Sequence, residues 1–296
     1  MHSNLHTDDP PDTADEPGIL YVVATPIGNK EDITLRALNT FREVDFILAE
    51  DTRKTGRFLA NYNIKNSLVS YHEHNENERT PGLVKKLKKG MSMALVSDAG
   101  TPTVSDPGYI LIHQAIANSI DVIPIPGVSA AITALSVSGL PSDSFVFVGF
   151  ASKKKKKRMD QLHALSKETR TLIFYESPRR ILSFLEDISD AFGGDRHAVF
   201  SREMTKMHEE FIRGTVCELV DLLKKRPTVK GECVLIVSGT SKHETISIET
   251  ITKEISLKLE ANKRISDLAK ELALKYQIPK SRIYHEALKL SGKKGK

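Results

Sequence analysis

The sequence predicts an α/β protein: two α/β halves with a cleft between them, followed by a small helical unit. Three observations carry that expectation. Short apolar runs alternate with longer amphipathic stretches over most of the 296 residues, the pattern of strands joined by crossover helices. Several of the apolar runs end in clusters of Gly, Pro and small polar residues, where open α/β sheets place their ligand crevices. Beyond about residue 240 the strand-like runs stop and only helical spacing continues.

The first series of candidate strands is 19–23, 45–49, 93–96, 121–125 and 145–149. Ile19-Leu20-Tyr21-Val22-Val23 ends in Ala24-Thr25-Pro26-Ile27-Gly28-Asn29, and Asp32 or Thr34 is placed to cap a helix starting near Leu35. Leu83-Val84-Lys85-Lys86-Leu87-Lys88-Lys89 reads as part of an amphipathic helix. Met93-Ala94-Leu95-Val96 runs into Ser97-Asp98-Ala99-Gly100-Thr101-Pro102-Thr103-Val104-Ser105-Asp106-Pro107-Gly108. A plain surface turn needs one or two small residues, not most of such a run. Glycines there let the backbone approach a ligand closely, and Pro102 and Pro107 hold the loop in shape. Neither loop is Gly-x-Gly-x-x-Gly or Gly-x-x-x-x-Gly-Lys, so a ligand held by its pyrophosphate is not expected.

A second series follows at 171–175, 198–201 and 233–237, separated by helical patterns at 178–191 and 215–225. The expected boundaries are an acidic tail over 1–17, an N-terminal α/β domain over 18–150, a second α/β domain over 151–240 and a basic helical domain over 241–296. In the last of these, Ile251, Ile255 and Leu259 keep helical spacing, as do Ile265, Leu268, Ala269, Leu272, Ala273 and Tyr276. Ile278-Pro279-Lys280-Ser281 interrupts it, and Ser281 is placed to cap a short helix carrying Tyr284 and Leu288. The unit resembles a helix-turn-helix and reads equally as a packed appendage or a nucleic-acid contact.

Composition is that of a soluble globular protein, 40% apolar and 27% charged. No apolar stretch approaches the roughly 18 residues of a membrane helix, and the polar, acidic start is not a secretory signal. Cys217 and Cys233 suggest neither a metal-ligand cluster nor a disulfide framework, which fits a cytoplasmic protein. The net charge of +5 is unevenly spread. Residues 1–17 carry five acids and no Lys or Arg, and 241–296 carry thirteen Lys and Arg against seven acids. Lys153 to Arg158 is an unbroken cation run at the junction of the halves. It reads as an exposed solvated linker or as a phosphate contact.

Several runs together resemble one family. They are Val23-Ala24-Thr25-Pro26-Ile27-Gly28-Asn29, Ala49-Glu50-Asp51-Thr52-Arg53, Tyr71-His72-Glu73-His74-Asn75-Glu76 and Ser97 to Pro102. They continue with Pro126-Gly127-Val128-Ser129-Ala130, Tyr175-Glu176-Ser177-Pro178-Arg179, Arg202-Glu203-Met204-Thr205-Lys206 and Gly231 to Val237. In this order they resemble the ribosomal RNA small-subunit methyltransferase I family of the tetrapyrrole-methylase (class III) superfamily, over about residues 18 to 240. The helical tail resembles the small C-terminal domain of the same family. The acidic extension and the lysine run have no counterpart in that resemblance.

The resemblance implies the tetrapyrrole-methylase fold, a homodimer, and S-adenosylmethionine bound between the two α/β domains. It also implies 2′-O-methylation of a cytidine ribose in the decoding region of 16S rRNA within the small ribosomal subunit. The donor-binding residues it suggests are Pro26, Gly28, Asp98, Ala99, Gly100, Thr101, Ser129, Ala130, Tyr175 and Glu232. Thr101 stands where the superfamily more often has Asp. No metal is implied.

An in-line methyl transfer must align donor and acceptor, and gains from a base near the ribose hydroxyl. Glu50, Asp51, Arg53 and Glu176 are the expected catalytic group. His72, His74 and Glu203 are further candidate bases, the two histidines sharing one face if their segment is extended. Arg53, Lys54, Arg57, Arg202 and Lys206 are candidate phosphate contacts. For Glu176 the structural alternative is an ion pair with Arg179 or Arg180, and for Ser129 a simple helix cap. Two other functions stay open at this level: methylation of a tetrapyrrole or other small molecule, and a non-catalytic RNA-binding assembly factor.

Overall fold

The computed structural model describes residues 16–240, 248–260, 263–276 and 280–292. Almost all of the acidic tail, and the interruption at Ile278-Pro279, lie outside the described residues. The chain divides into two compact units, Met1–Gly239 and Thr240–Lys296.

The first unit holds two five-stranded sheets. Strands β1 (Leu20–Val23), β2 (Phe46–Ala49), β3 (Ser67–Ser70), β4 (Met93–Val96) and β5 (Val122–Ile125) form the first, in the order β3-β2-β4-β1-β5. All its pairings are parallel. Crossover helices α1 (Leu35–Glu43), α2 (Thr52–Ala60), α3 (Glu76–Leu87) and α4 (Tyr109–Ala117) connect them. Two apolar clusters result. One packs Leu20, Leu48 and Leu95 against Leu83, Leu87 and Leu111, and the other packs Val23, Ile47 and Val96 against Phe41 and Leu59. This burial on both faces is why the strands read as continuous apolar runs. Thr34 caps α1, its hydroxyl accepting the Ala37 amide at 3.1 Å.

The connection after β2 leaves toward β3, whereas the one after β4 leaves toward β5. These two neighbours therefore form the topological switch point, and their carboxyl ends open a crevice. The strand β3 has no counterpart among the expected strands. Its sequence, Ser-Leu-Val-Ser, sits at the sheet edge and lacks a continuous apolar run. At the other edge stands β5. The carbonyls of Asp121 and Ile125 accept from Leu20 and Ala24 of the β1 segment. By the two-residue period, Pro124 therefore turns its nitrogen outward, where no ladder bond is lost.

The second sheet comprises β6 (Phe145–Phe150), β7 (Thr171–Glu176), β8 (His197–Arg202), β9 (Glu210–Thr215) and β10 (Cys233–Val237), in the order β6-β7-β10-β8-β9. Only β6 and β7 are parallel; the other pairings are antiparallel. The strand β9 is also an unexpected edge strand. Helices α6 (Lys155–Leu165), α7 (Ile181–Phe192) and α8 (Val216–Lys224) cover one face. The other face packs Ile173, Val199, Val234 and Ile236 against α5 (Ala130–Ser136) and against Ile27 of the first half. Because β10 runs against its neighbours, Cys233 pairs with both Glu176 and Arg202. The carboxyl ends of β7 and β8 and the amino end of β10 thus share one edge.

The cation run is not the expected free linker. It forms the start of α6, and its last member, Arg158, is only 8% exposed. The Arg158 guanidinium meets the buried Asp187 carboxylate at 2.6 Å and donates to the carbonyls of Ser152 and Lys153 at 3.1 and 3.2 Å. Only Lys153 to Lys157 face solvent.

The second unit contains α9 (Ile248–Glu260), α10 (Ile265–Tyr276) and α11 (Lys280–Gly292). Ile255, Leu268, Ala269, Leu272, Ile283 and Ala287 form its core. The expected cap at Ser281 is corrected: α11 is already under way at Lys280, so Ser281 lies in its first turn.

Candidate functional site

A cavity of about 410 Å³ opens between the exit loops of the first sheet and the near edge of the second. The first half contributes Ile27 after β1, Glu50 after β2, Asp98 to Thr101 and Val104 to Asp106 after β4, and Ser129 with Ala130 at the start of α5. The second half contributes Phe150, Tyr175 and Glu176 at strand ends, Met204 beyond β8, and Gly231 to Val234 at the start of β10.

The loop after β4 is built on Gly100. Its φ of +81° lies in the left-handed region, which glycine enters without strain. Its amide and carbonyl exchange hydrogen bonds with Thr25, at 2.9 and 2.8 Å. Asp98, Ala99, Gly100 and Thr101 all line the cavity, but not every backbone group of the loop is free for a ligand. The Gly100 amide instead ties the exit loops of β1 and β4 together. The Thr101 hydroxyl donates to the Val128 carbonyl at 3.0 Å, linking the same loop to the one before α5. Asp98 accepts the Asp51 amide at 3.1 Å and the Lys54 ammonium at 2.5 Å. Ser129 occupies the N-cap position of α5 without a side-chain cap bond.

Of the expected catalytic group, Glu50 and Glu176 line the cavity, while Asp51 and Arg53 do not. Asp51 caps α2, accepting the amides of Arg53 and Lys54, and it binds the Arg53 guanidinium at 3.1 Å. Those bonds hold its carboxyl down at about 2. Arg53 is 82% exposed at its side chain. Glu176 is buried, and both its oxygens bind Arg180, at 2.8 and 2.5 Å, while one also accepts the Ser177 amide at 2.6 Å. Its geometry is that of a structural ion pair. Arg180 also donates to the Ala151 carbonyl at 3.2 Å.

Pro26 and Gly28 are also outside the lining. Gly28 permits contact between the halves: a Cβ there would stand 2.6 Å from the Thr205 hydroxyl and 2.5 Å from the Lys206 side chain. The next amide, of Asn29, donates to that hydroxyl at 2.9 Å. Lys206 bridges Glu203 and Glu232, both at 2.9 Å, so neither Lys206 nor Glu203 stands free as sequence reading had them. The Lys206 bond holds the Glu203 carboxyl below the usual range. Arg202 is likewise engaged, with Glu210 at 2.8 Å. His72 and His74 lie in a turn after β3, not on an extended segment, with ring centroids 5.9 Å apart and outside the cavity.

Sequence reading missed Asp106. Burial pushes its carboxyl up to about 6, offset in part by the Ser97 hydroxyl and reinforced by the nearby Glu50 and Asp98 charges. The only signal was its place in the Ser97–Gly108 run, where Asp-Pro-Gly reads as turn chemistry. The apolar wall of Ile27, Val104, Phe150, Met204 and Val234 was missed because such residues look like ordinary core. Tyr175 accepts the Ala131 amide at 3.1 Å, and its ring packs edge-on against Phe147 and Phe150 at 5.0 and 5.7 Å.

Five carboxylate residues line this cavity, and no Lys, Arg or His does. Lys54, Arg180 and Lys206 neutralise Asp98, Glu176 and Glu232, and the remaining Glu50 and Asp106 carboxylates disfavour phosphate and favour a ligand carrying positive charge. Among the described residues no cation pairs with Glu50 or Asp106. Nor does any group of three or more His, Cys, Asp or Glu among them have the arrangement to hold a metal ion.

The family of Tetrapyrrole (Corrin/Porphyrin) Methylases matches residues 19–220. The chain is 49% identical over 259 residues to the Ribosomal RNA small subunit methyltransferase I of Haemophilus influenzae, covering 87% of this chain and 89% of that one. The chain belongs to the ribosomal RNA small subunit methyltransferase I family. A second relative of that name, from Halalkalibacterium halodurans, is 45% identical over 276 residues, covering 92% and 95% of the two chains. Solved structures share the fold. A uroporphyrin-III C-methyl transferase from Thermus thermophilus, complexed with S-adenyl homocysteine, superposes with a TM-score of 0.53 at 19% identity. That match covers 75% of this chain and 97% of the other. The methyltransferase CobJ gives 0.58 at 17%, covering 76% and 95%. The methylase span takes in the whole first-half lining of the cavity but stops before Gly231 to Val234.

Proposed function

We propose that this chain transfers a methyl group from S-adenosylmethionine to the 2′-hydroxyl of a cytidine ribose in small-subunit (16S) rRNA. The observation that carries the reading is the 49% identity, over most of both chains, to a protein named for that class of reaction. The cavity supports the donor. S-adenosylmethionine supplies an electrophilic methyl on a sulfonium and also bears an ammonium, so a wall carrying the unpaired carboxylates Glu50 and Asp106 suits it. Phe150 and Tyr175 offer an aromatic wall against which an adenine can pack. Ser129, Ala130 and the Asp98–Thr101 loop line the opposite side.

Glu50 and Asp106 are the cavity carboxylates without an ion pair among the described residues, and they are the proton acceptors we assign. Asp98, Glu176 and Glu232 are occupied by Lys54, Arg180 and Lys206; their role is to hold the walls in place. We assign two halves that close on the donor. The expected division into 18–150 and 151–240 leaves β6 (Phe145–Phe150) with the first, but β6 pairs with β7 of the second sheet, so we place the division before Phe145. We also propose a homodimer: Tyr109 and Ile116 on α4, Ile132 on α5 and Phe145 on β6 are exposed large apolar residues of the kind a second copy covers. Among the described residues no helix is long and apolar enough to cross a membrane, and we place the protein in the cytoplasm with its substrate.

The deciding test is transfer of labelled methyl from the donor to small ribosomal subunits taken from cells lacking this enzyme. Label on a cytidine 2′-oxygen supports the reading. Donor binding with no transfer to subunits or rRNA, and transfer to a tetrapyrrole instead, overturns it. Sedimentation as a monomer at micromolar concentration overturns the dimer.

A further inference from the structure

We infer that Lys153 to Lys157 form a rigid phosphate rail at the rim of the cavity, along which the RNA strand lies when it presents its ribose. This rests on the proposed transfer to RNA and specifies where the RNA backbone sits.

All five lysines are exposed. Lys155 alone has a carboxylate within ion-pair reach, Asp187 at 3.9 Å, and the other four make no ion pair among the described residues. The run starts three residues beyond Phe150, which lines the cavity. At most about 10 Å of extended chain separates the two.

The backbone between them is clamped. The carbonyls of Ala151, Ser152 and Lys153 each accept a bond from a guanidinium: the first from Arg180, the others from Arg158. Both arginines are themselves fixed by buried carboxylates, Glu176 and Asp187. A lysine run that only keeps a surface soluble needs no such support, and mutual repulsion would favour a loose segment. Here like charges are held together at fixed positions. The first turn of α6 adds to the cost. It contains no acid, so its lysines crowd the positive end of the helix dipole. A bound polyanion relieves both strains.

The charge pattern also gives direction. The cavity wall is acidic and its rim is basic, so phosphates are repelled from the interior and held outside. Only the uncharged ribose and base are then drawn inward. A second lysine group serves as a comparison. Lys85, Lys86, Lys88 and Lys89 are exposed at the end of α3. The Leu87 carbonyl accepts the Gly18 amide just before β1, and Lys86 lies over the ring of Phe46, the first residue of β2. That group therefore sits at the amino ends of the strands, across the sheet from the cavity.

The experiment uses the full chain, small ribosomal subunits from cells lacking the enzyme, and labelled donor. Two variants are compared: Lys153 to Lys157 all changed to Gln, and Lys85, Lys86, Lys88 and Lys89 all changed to Gln. In the rail variant the KM for subunits rises about tenfold or more, and the slope of log affinity against log salt flattens by about 3. Its kcat and its calorimetric donor affinity stay as in the wild type. The far-edge variant changes none of these. Unchanged KM and salt slope in the rail variant, or equal losses in both variants, overturns the rail. A wild-type chain that binds donor but methylates no small-subunit RNA overturns the substrate reading, and the rail with it.

Discussion

In the first half, cavity residues stand on loops or helix starts that follow the carboxyl ends of parallel strands; in the second, most stand on the strands or within two residues of them. Glu50, Asp98 and Ser105 belong to the first kind, and Phe150, Tyr175 and Val234 to the second. The difference follows from topology. A parallel sheet sends every connection out at the same edge, so its loops accumulate there. The mixed sheet brings the start of β10 beside the ends of β7 and β8, and its strand residues form the wall directly. The loop side can vary its chemistry freely, whereas the strand side supplies shape and is braced by buried ion pairs.

The sharpest test of that bracing is Arg158→Met. It leaves the Asp187 carboxylate buried without its guanidinium, and breaking such a pair costs about 3–5 kcal/mol. Chemical denaturation of the full chain should show a loss of that size, and a loss under 1 kcal/mol, as for a surface pair, would remove the contrast between the halves. The loop side is probed by Ala130→Trp, which fills the cavity from the start of α5. Donor affinity should fall by about 100-fold, equal to about 2.7 kcal/mol, with the circular dichroism spectrum unchanged. Wild-type affinity in a folded variant would move the donor site elsewhere.

A smaller effect is expected at Asp106. Its folded carboxyl sits at about 6 against an ordinary 3.8, so it is an acid whose raised value favours folding only while protonated. That contribution is complete below the unfolded value and is lost as pH rises through about 6. At neutral pH the charge is therefore a burden, and Asp106→Asn should stabilise the protein by about 1 kcal/mol, a figure reduced for partial solvation. The gain should vanish on acidification to about pH 4, with thermal unfolding as the readout. Donor affinity should move the other way: wild-type binding weakens as pH falls through about 6, and the variant binds weakly throughout. An unchanged pH profile would mean that Asp106 does not face the donor. The smallest change is expected for Arg53→Ala, whose thermal unfolding midpoint should match the wild type, because its partner Asp51 keeps its cap bonds to the α2 amides.

The same contrast explains what sequence could show. Eight of the ten strands were legible as apolar runs, and in the most buried of them, such as β4 and β10, every residue is covered. The edge strands β3 and β9 were not, since Ser-Leu-Val-Ser and Glu-Phe-Ile-Arg-Gly-Thr interrupt the apolar run with polar residues, whereas the other two edge strands, β5 and β6, stay apolar almost throughout. Loop residues such as Asp98, Gly100 and Ala130 were legible, because small and turn-forming residues after a strand are unusual. Phe150, Met204 and Val234 were hidden, because nothing in an apolar side chain tells whether it meets a ligand or another core residue. For Glu176 sequence left a catalytic role and an ion pair with Arg179 or Arg180 both open, and the Arg180 pair is present; Lys206 was read as a phosphate contact, yet Glu203 and Glu232 make it a brace. Position in space decided that, not residue type.

Pro124 has a consequence beyond its own strand. An open sheet edge is a template on which another extended chain can grow, and the boundary at β5 would otherwise offer outward amides to any passing segment. A ring nitrogen with no hydrogen closes the middle of that boundary. Another extended chain is thus hindered from continuing the sheet at this edge. Pro124→Thr should leave the folded monomer nearly intact while raising its tendency to form high-molecular-weight, β-rich aggregate during refolding, a change light scattering would register.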